Sequence, residues 1–224
     1  QYVAYSGVTG TSAPRNMVFE RARGDFVLCM DSHVALWPGA LSRLIKWHKD
    51  TESHDLITGP MLYEDWTFNT HFNDVWQSDM WGVWGKAWSC ACGHGFSGVE
   101  VNGGRCQWRT LMPPHEAFSS CPQCGKTMPD FGWAGHEKPL EAAGFTQLGK
   151  DESSWPFEIP ACGLGVFGCR KDAWLGFNEN FRGFGGEEWY IHEKYRKAGH
   201  KCLSLPFLRW LHRYGRPDGT RYPL

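Results

Sequence analysis

The sequence predicts an α/β domain that is interrupted by a cysteine-rich, zinc-binding insert. Its 224 residues, 42% of them hydrophobic, are enough for one domain with a core of its own. Apolar segments with helix and strand periodicity alternate in the first and last parts of the chain. Between them lies a segment with closely spaced cysteines. We therefore assign residues 1–84 and 156–224 to the α/β core and residues 85–155 to the insert.

The composition excludes several classes of protein. No apolar run approaches the roughly 18 residues of a membrane-spanning helix, so an integral membrane protein is not expected. With 23 basic and 24 acidic side chains, the net charge of -1 does not indicate a strongly basic nucleic-acid binder, although a local basic patch remains open. The 13 Trp residues indicate either a ligand surface for sugars or bases, or a core rich in large side chains.

The first elements follow from periodicity and end signals. Ser12 is expected to cap a helix that has Pro14 in its first turn and ends at Gly24. The elements after it are a strand over 25–30, a helix over 38–49 and a strand over Leu56–Thr58. Short connections between alternating helices and strands predict a largely parallel sheet.

The insert has a different character. It is rich in Gly, Pro, Cys and Trp and has no sustained periodicity, so we expect zinc to hold it together in place of a core of its own. Regular elements resume after it, with a strand over 164–169, a loop over 183–186, a helix over 187–197, a strand over 201–207 and a basic, aromatic tail.

Four cysteines of the insert have the pattern of a structural zinc site. They form two close pairs, and the second pair reads Cys-Pro-Gln-Cys-Gly, a corner in which two thiolates converge and the glycine relieves a positive φ. The predicted ligands are Cys90, Cys92, Cys121 and Cys124. Because the first pair is one residue shorter than usual, His94 or Cys106 is an alternative ligand.

The remaining cysteines have no such clustering. They lie in apolar surroundings along the chain and are predicted to be thiols of the core. These residues are Cys29, Cys162, Cys169 and Cys202.

An Asp-Ser-His sequence follows the first predicted strand. Asp31 and His33, two positions apart at a strand end, can present a carboxylate oxygen and an imidazole nitrogen to one cation. Ligands of open α/β sheets bind at the carboxyl ends of strands, which favours this location. The alternative is a capping aspartate beside a surface histidine.

Several ordered motifs together resemble the GT-A glycosyltransferases, both the family-2-like enzymes and the polypeptide N-acetylgalactosaminyltransferases. The first motifs are Arg15-Asn16, a helix ending in Ala22-Arg-Gly24, and Asp31-Ser-His33 after an apolar strand. The later ones are the loop from Gly176 to Gly185-Gly186-Glu187-Glu188 and the segment Trp210-Leu-His212-Arg213.

This resemblance implies a GT-A fold, a Rossmann-like mixed sheet flanked by helices, and a specific chemistry. It implies a manganese (or magnesium) ion held by Asp31, His33 and His212 against the diphosphate of a nucleotide sugar, most simply a UDP-sugar. Arg15 and Arg213 would bind the donor, as would Arg216. Either Glu187 or Glu188 would act on the acceptor, which leaves retention or inversion of configuration open. The family's amino-terminal nucleotide-binding part is expected to be absent.

The acceptor is predicted from the tail and the insert. The tail over 209–222 interleaves basic and aromatic residues, which is typical of surfaces that follow phosphates and stack bases. One hypothesis is therefore a viral or bacterial enzyme that glycosylates hydroxymethylated bases of DNA, and protein, glycan and small-molecule acceptors are the alternatives. Reduced zinc thiolates favour the cytoplasm, that of the host for a viral enzyme.

Two other functions compete with this one. The first is a non-catalytic zinc-ribbon module that binds nucleic acid or protein on a degenerate transferase scaffold. The second, a nucleotidyltransferase, is disfavoured because the amino end has no glycine-rich phosphate loop.

Overall fold

The computed structural model describes residues 3–7, 10–77, 80–101, 105–129 and 137–214, without the side chains of 101, 105, 106, 137 and 138. Its helices are α1 (Ser12–Arg21), α2 (Ala40–Thr51), α3 (Glu137–Ala142) and α4 (Glu187–Lys197), with a short 3₁₀ turn at Lys171–Ala173. Its strands are β1 (Phe26–Met30), β2 (Val34–Leu36), β3 (Leu56–Thr58), β4 (Met61–Leu62), β5 (Phe68–Asn69), β6 (His71–Gln77), β7 (Met80–Gly85), β8 (Ala87–Ser89), β9 (Gly95–Val101), β10 (Arg105–Thr110), β11 (Ala117–Phe118), β12 (Thr146–Gln147), β13 (Phe157–Glu158), β14 (Val166–Arg170), β15 (Cys202–Ser204) and β16 (Trp210–His212).

The central sheet is mixed, with strand order β1-β14-β3-β15-β13. The expectation of a largely parallel sheet is wrong, because β14 enters between β1 and β3 and runs antiparallel to both. In this sheet, β3 and β15 form the parallel pair among the described strands. A Cβ atom on Gly168 would lie 2.5 Å from the carbonyl oxygen of Val27, so a glycine is required at this close approach.

Most predicted elements of the core are present, with shifts at their ends. The helix expected from residue 38 begins at Ala40, since Gly39 takes a left-handed conformation (φ 80°) at its N-cap. The strand expected over 201–207 is shortened to Cys202–Ser204. Ser12 is not the cap of α1 but a buried residue of its first turn, with Thr11 at the N-cap position.

A second sheet, of order β2-β16-β4-β5, brings the segment after β1 next to the end of the described chain. β2 pairs antiparallel with β16, so that Val34 lies opposite His212. The two segments that carry the predicted metal ligands are therefore neighbours, although nearly 180 residues separate them in sequence.

The insert has a core of its own, contrary to expectation. Its strands form a sheet of order β11-β10-β9-β8-β12. Trp88, Phe96 and Trp108 pack there with Leu140 and Phe145, all of them buried. Glycines and exposed polar residues interrupt the alternation of these aromatic side chains along the sequence. The hydrophobic pattern of the insert therefore did not predict its strands.

The four cysteines outside the insert are buried thiols, as predicted. Burial raises the pKa of Cys29 to about 11 and the pKa of Cys162, Cys169 and Cys202 to about 12. They are therefore protonated, unreactive members of the core. None of the described helices has the length and apolar character that crossing a lipid bilayer requires.

Candidate active site

The candidate site lies where β1 ends. The backbone N–H of Asp31 donates to the carbonyl of Gly165 (2.9 Å), and that of Val34 donates to the carbonyl of Asp31 (3.3 Å). This turn places Asp31 and His33 between the central sheet and the second sheet. A sharp turn after a strand leaves polar side chains at the sheet edge, where α/β proteins bind ligands.

His33 and His212 meet at the end of the β2–β16 pair in the second sheet. Their Nε2 atoms lie 3.0 Å apart and their rings are nearly perpendicular, with centroids 4.6 Å apart. The backbone N–H of Arg213 donates to the carbonyl of His33 (3.3 Å), which fixes the two segments to each other. The Arg213 side chain is exposed at this edge. Arg216 lies outside the described residues.

Arg15 is the centre of a buried ionic network. One of its nitrogens lies 3.0 Å from Glu187 Oε1 and the other 3.5 Å from Asp31 Oδ1. The second nitrogen also donates to the carbonyl of Leu164 (3.4 Å). The side chains of Arg15 and Glu187 are only 10% and 3% exposed. Because water has little access to either charge, each is stabilised by the opposite charge of the other. Thr11 donates its hydroxyl to the same Glu187 oxygen.

The next residue, Glu188, has a different environment. It is partly buried in the first turn of α4. Burial, followed by the negative charge of Glu187, raises its pKa to about 7. A carboxyl group with this pKa can exchange a proton near neutral pH, whereas Glu187 is held by Arg15.

Asn16 fixes the loop that leads to these carboxylates. Its side-chain amide donates to the carbonyl of Phe177 (3.1 Å) and its oxygen accepts from the N–H of the same residue (2.8 Å). Gly185 and Gly186 then take left-handed conformations, with φ of 96° and 85°, immediately before α4 begins. Asn16 thus positions the loop, a role that the sequence pattern alone did not identify.

The predicted site residues are brought together in part. Arg15, Asp31 and Glu187 form one contact network, and His33 with His212 forms another. Asp31 faces Arg15 in this structure. Among the described residues, the only metal-like group of three or more ligand atoms within 4.8 Å of one another is the cysteine quartet of the insert.

That quartet consists of Cys90, Cys92, Cys121 and Cys124, the four predicted ligands. The Sγ atoms of Cys90 and Cys124 are 3.5 Å apart, and those of Cys92 and Cys121 are 3.6 Å apart. Four sulfurs at about 2.3 Å from one zinc ion lie about 3.8 Å from each other, so the cluster fits a tetrahedral ion. Disulfide sulfurs would be much closer.

The corners of the quartet have the expected backbone geometry. Gly93 and Gly125, which follow the two cysteine pairs, have φ of 90° and 74°. Although burial opposes ionisation of Cys121, backbone N–H groups of Cys124 and Gln123 lower its pKa to about 7. His94 is not a member of the quartet, and the side chain of Cys106 lies outside the described residues.

Replacing Arg15 by methionine is expected to lower the free energy of unfolding by about 3–5 kcal/mol, because Glu187 and Asp31 would lose their buried countercharge. Urea denaturation measures this change. Arg43→Met, which removes an exposed arginine paired with Glu152, is the matched control and should cost less than about 1 kcal/mol. Equal stability of Arg15→Met and the native protein would contradict a structural role for the network.

One comparison with known proteins finds a match to a family model. Residues 3–98, somewhat less than half of the chain, match the model of the family described as glycosyl transferase family 2. No curated protein matches the chain. The matched segment contains Arg15, Asp31 and His33 and extends into β9 of the insert, while α4 and His212 lie beyond it. The match supports a glycosyltransferase of the family-2-like kind.

Proposed function

We propose that this protein is a metal-dependent glycosyltransferase that moves a sugar from a nucleotide sugar to an acceptor hydroxyl. The observation that carries the proposal is the position of Arg15, Asp31 and His33. They lie inside the segment that matches glycosyl transferase family 2, and the fold joins them to Glu187 and His212. Members of that family use nucleotide-sugar donors, which we propose for this chain as well, with a UDP-sugar as the first candidate.

His33, His212 and Asp31 would hold the divalent ion. The two imidazole Nε2 atoms converge to 3.0 Å, an arrangement that suits two ligands of one cation, and Asp31 begins the same turn as His33. Manganese or magnesium bound there would stabilise the negative charge on the departing nucleoside diphosphate. Arg15 and the exposed Arg213 are the cationic side chains that we assign to the donor phosphates.

Glu188 is the general base that we assign to the reaction, and Glu187 is a positioning residue. The Glu187 carboxylate is engaged by Arg15 and by the hydroxyl of Thr11. In the transfer, the acceptor oxygen forms a bond to the anomeric carbon and the hydroxyl proton passes to Glu188. The bond from that carbon to the diphosphate oxygen breaks, and its electron pair leaves with the nucleoside diphosphate.

A structural zinc ion in the cysteine quartet completes the proposal. Four thiolates close the coordination sphere, so this ion would stabilise the insert and take no part in the transfer.

The nature of the acceptor was predicted from the basic, aromatic tail, and two of the described tail residues do not support a DNA-binding surface. Arg209 is bound to the backbone carbonyls of Gly149 and Lys150, and Trp210 is 1% exposed. These two side chains belong to the fold and are not a surface for phosphates. A hydroxymethylated base of DNA is therefore an alternative acceptor, and the non-catalytic zinc-ribbon module is the alternative function.

Release of free nucleotide from a panel of nucleotide sugars, with and without manganese, tests the proposed activity. Asp31→Ala is expected to lower the manganese-dependent release by at least about 10²-fold, because the donor diphosphate loses a ligand of its cation. The control Asp50→Ala removes an exposed carboxylate of α2 and should retain the native rate. Absence of release from every donor by the folded native protein would favour the non-catalytic module.

A further inference from the structure

The hairpin of β6 and β7 exposes an unusual amount of aromatic surface. Trp76 and Trp81 are cross-strand partners, 66% and 49% exposed, and the neighbouring Met80 is 54% exposed. Indole rings left in water lose the free energy that burial would give, so contiguous exposed rings mark a surface that binds something.

This hairpin is fixed to the helix that carries the proposed base. The ring of Trp81 stacks on that of Trp189, with centroids 5.3 Å apart and planes 14° apart. The Nε1 of Trp189 donates to the backbone carbonyl of Trp81 (3.0 Å). Gly82 permits this contact, since a Cβ there would lie 3.0 Å from the Trp189 nitrogen. Because Trp189 directly follows Glu188, the hairpin packs against the turn of α4 that carries the proposed base.

The polar groups on the hairpin itself are neutral or acidic, whereas the cleft beside it also contains a lysine. The polar side chains that line this cleft, which measures about 320 Å³ and lies between the hairpin and β9, are Asn69, Asn73, Gln77, Lys86 and Glu100. The carboxamide of Asn73 is already hydrogen-bonded within the fold. The volume of the cleft is at the lower end of small-molecule sites, which measure roughly 300–1,000 Å³. The carboxylate of Asp74 accepts a hydrogen bond from the indole of Trp81 (2.5 Å). The sequence over 71–85 contains no Lys or Arg.

These groups match one class of ligand. The C–H faces of a sugar ring pack on indole rings, whose faces are electronegative, while amides and carboxylates hydrogen-bond to its hydroxyls. A nucleic acid requires cations along its phosphates, and this hairpin supplies none over 71–85.

We propose that the β6–β7 hairpin binds a saccharide chain as the acceptor and presents one of its hydroxyls to Glu188. This assignment rests on the proposed glycosyltransferase function and names its acceptor class. Trp76 and Trp81 supply the stacking surface, and the carboxylate of Asp74 beside the Trp81 indole supplies hydrogen-bond acceptors.

Calorimetric titration with cellotetraose, chitotetraose and maltotetraose tests the assignment without requiring turnover. The native protein is expected to bind at least one of them, and Trp76→Ala should weaken that binding by about tenfold or more. Trp155→Ala is the matched control. It removes an indole that is 89% exposed and lies outside the hairpin, and should leave the affinity within about twofold of the native value. A single-stranded oligonucleotide is titrated in parallel at two salt concentrations.

The possible results separate the two proposals. Nucleotide release without binding of any tetrasaccharide, or with equal binding by Trp76→Ala, would overturn the acceptor assignment and leave the transferase function in place. Salt-sensitive oligonucleotide binding that Trp76→Ala abolishes would assign the hairpin to nucleic acid and also overturn it. Trp76-dependent saccharide binding without nucleotide release from any donor would support the binding surface and contradict the enzyme.

Discussion

Glu188→Gln is expected to lower the rate of sugar transfer by about 10²–10⁴-fold, the usual contribution of a general base. The amide keeps the size and hydrogen-bonding shape of the side chain but cannot accept the proton of the acceptor hydroxyl. Donor binding should persist, because Arg15, Asp31 and the histidines are unchanged. Initial rates of nucleotide release with saturating donor and acceptor measure the effect.

The pH dependence of the proposed reaction, measured with the native protein, tests the role of the same residue. A base is active only when deprotonated, and the pKa of Glu188 is raised to about 7 by burial and by the charge of Glu187. The rate is therefore expected to rise as the pH increases through about 7 and then to level off, and Glu188→Gln should lack this rise.

A matched control exists on the same helix. Glu193 is 48% exposed and pairs with Arg196 and Lys197, so Glu193→Gln should retain the native rate and pH profile. If Glu188→Gln remained fully active while Glu187→Gln lost activity without losing stability, the roles assigned to the two carboxylates would be reversed.

Cys121→Ser is expected to release the zinc ion and unfold the insert. Structural zinc sites contribute about 10–16 kcal/mol of apparent binding free energy, which a small domain cannot replace. Cys121 is also 2% exposed and packs in the insert's aromatic core, so the metal site and the core are lost together. Zinc content by mass spectrometry and near-ultraviolet circular dichroism of the Trp residues measure both effects.

Cys106→Ser is the control for this experiment, since it makes the same chemical change outside the quartet. It is expected to retain about one zinc per chain, because four other sulfurs already complete a tetrahedral set. Loss of zinc from Cys106→Ser and its retention by Cys121→Ser would show that the ligand set has been assigned incorrectly.

Elements that depend on local signals were predictable from the sequence. α4 begins and ends as expected, because two glycines precede it, Glu187 and Glu188 favour its positive end and Gly199 follows it. The cysteine quartet was also identified, since its turn residues and ligand spacing are local properties. The strands β1 and β3 are within one residue of their expected bounds.

Features that depend on distant contacts were not predictable. The periodicity of the sequence does not place β14 between β1 and β3, and the mixed sheet that follows from this insertion was implied only by the GT-A resemblance. The buried ion pair of Arg15 with Glu187 joins residues 172 positions apart. Its strength depends on how deeply the two side chains are buried, and no sequence motif indicates that burial. The core of the insert consists of aromatic side chains on short strands, whose periodicity is interrupted by glycines.

The first and last strands of the insert are paired with each other in one sheet. β8 and β12 pair, with Trp88 opposite Gln147, and the N–H of Leu148 donates to the carbonyl of Ala87 (2.9 Å). The chain therefore leaves the α/β core and returns to it at nearly the same point. A module attached in this way can be gained, exchanged or shortened to a hairpin turn during evolution while the strand order of the core stays the same.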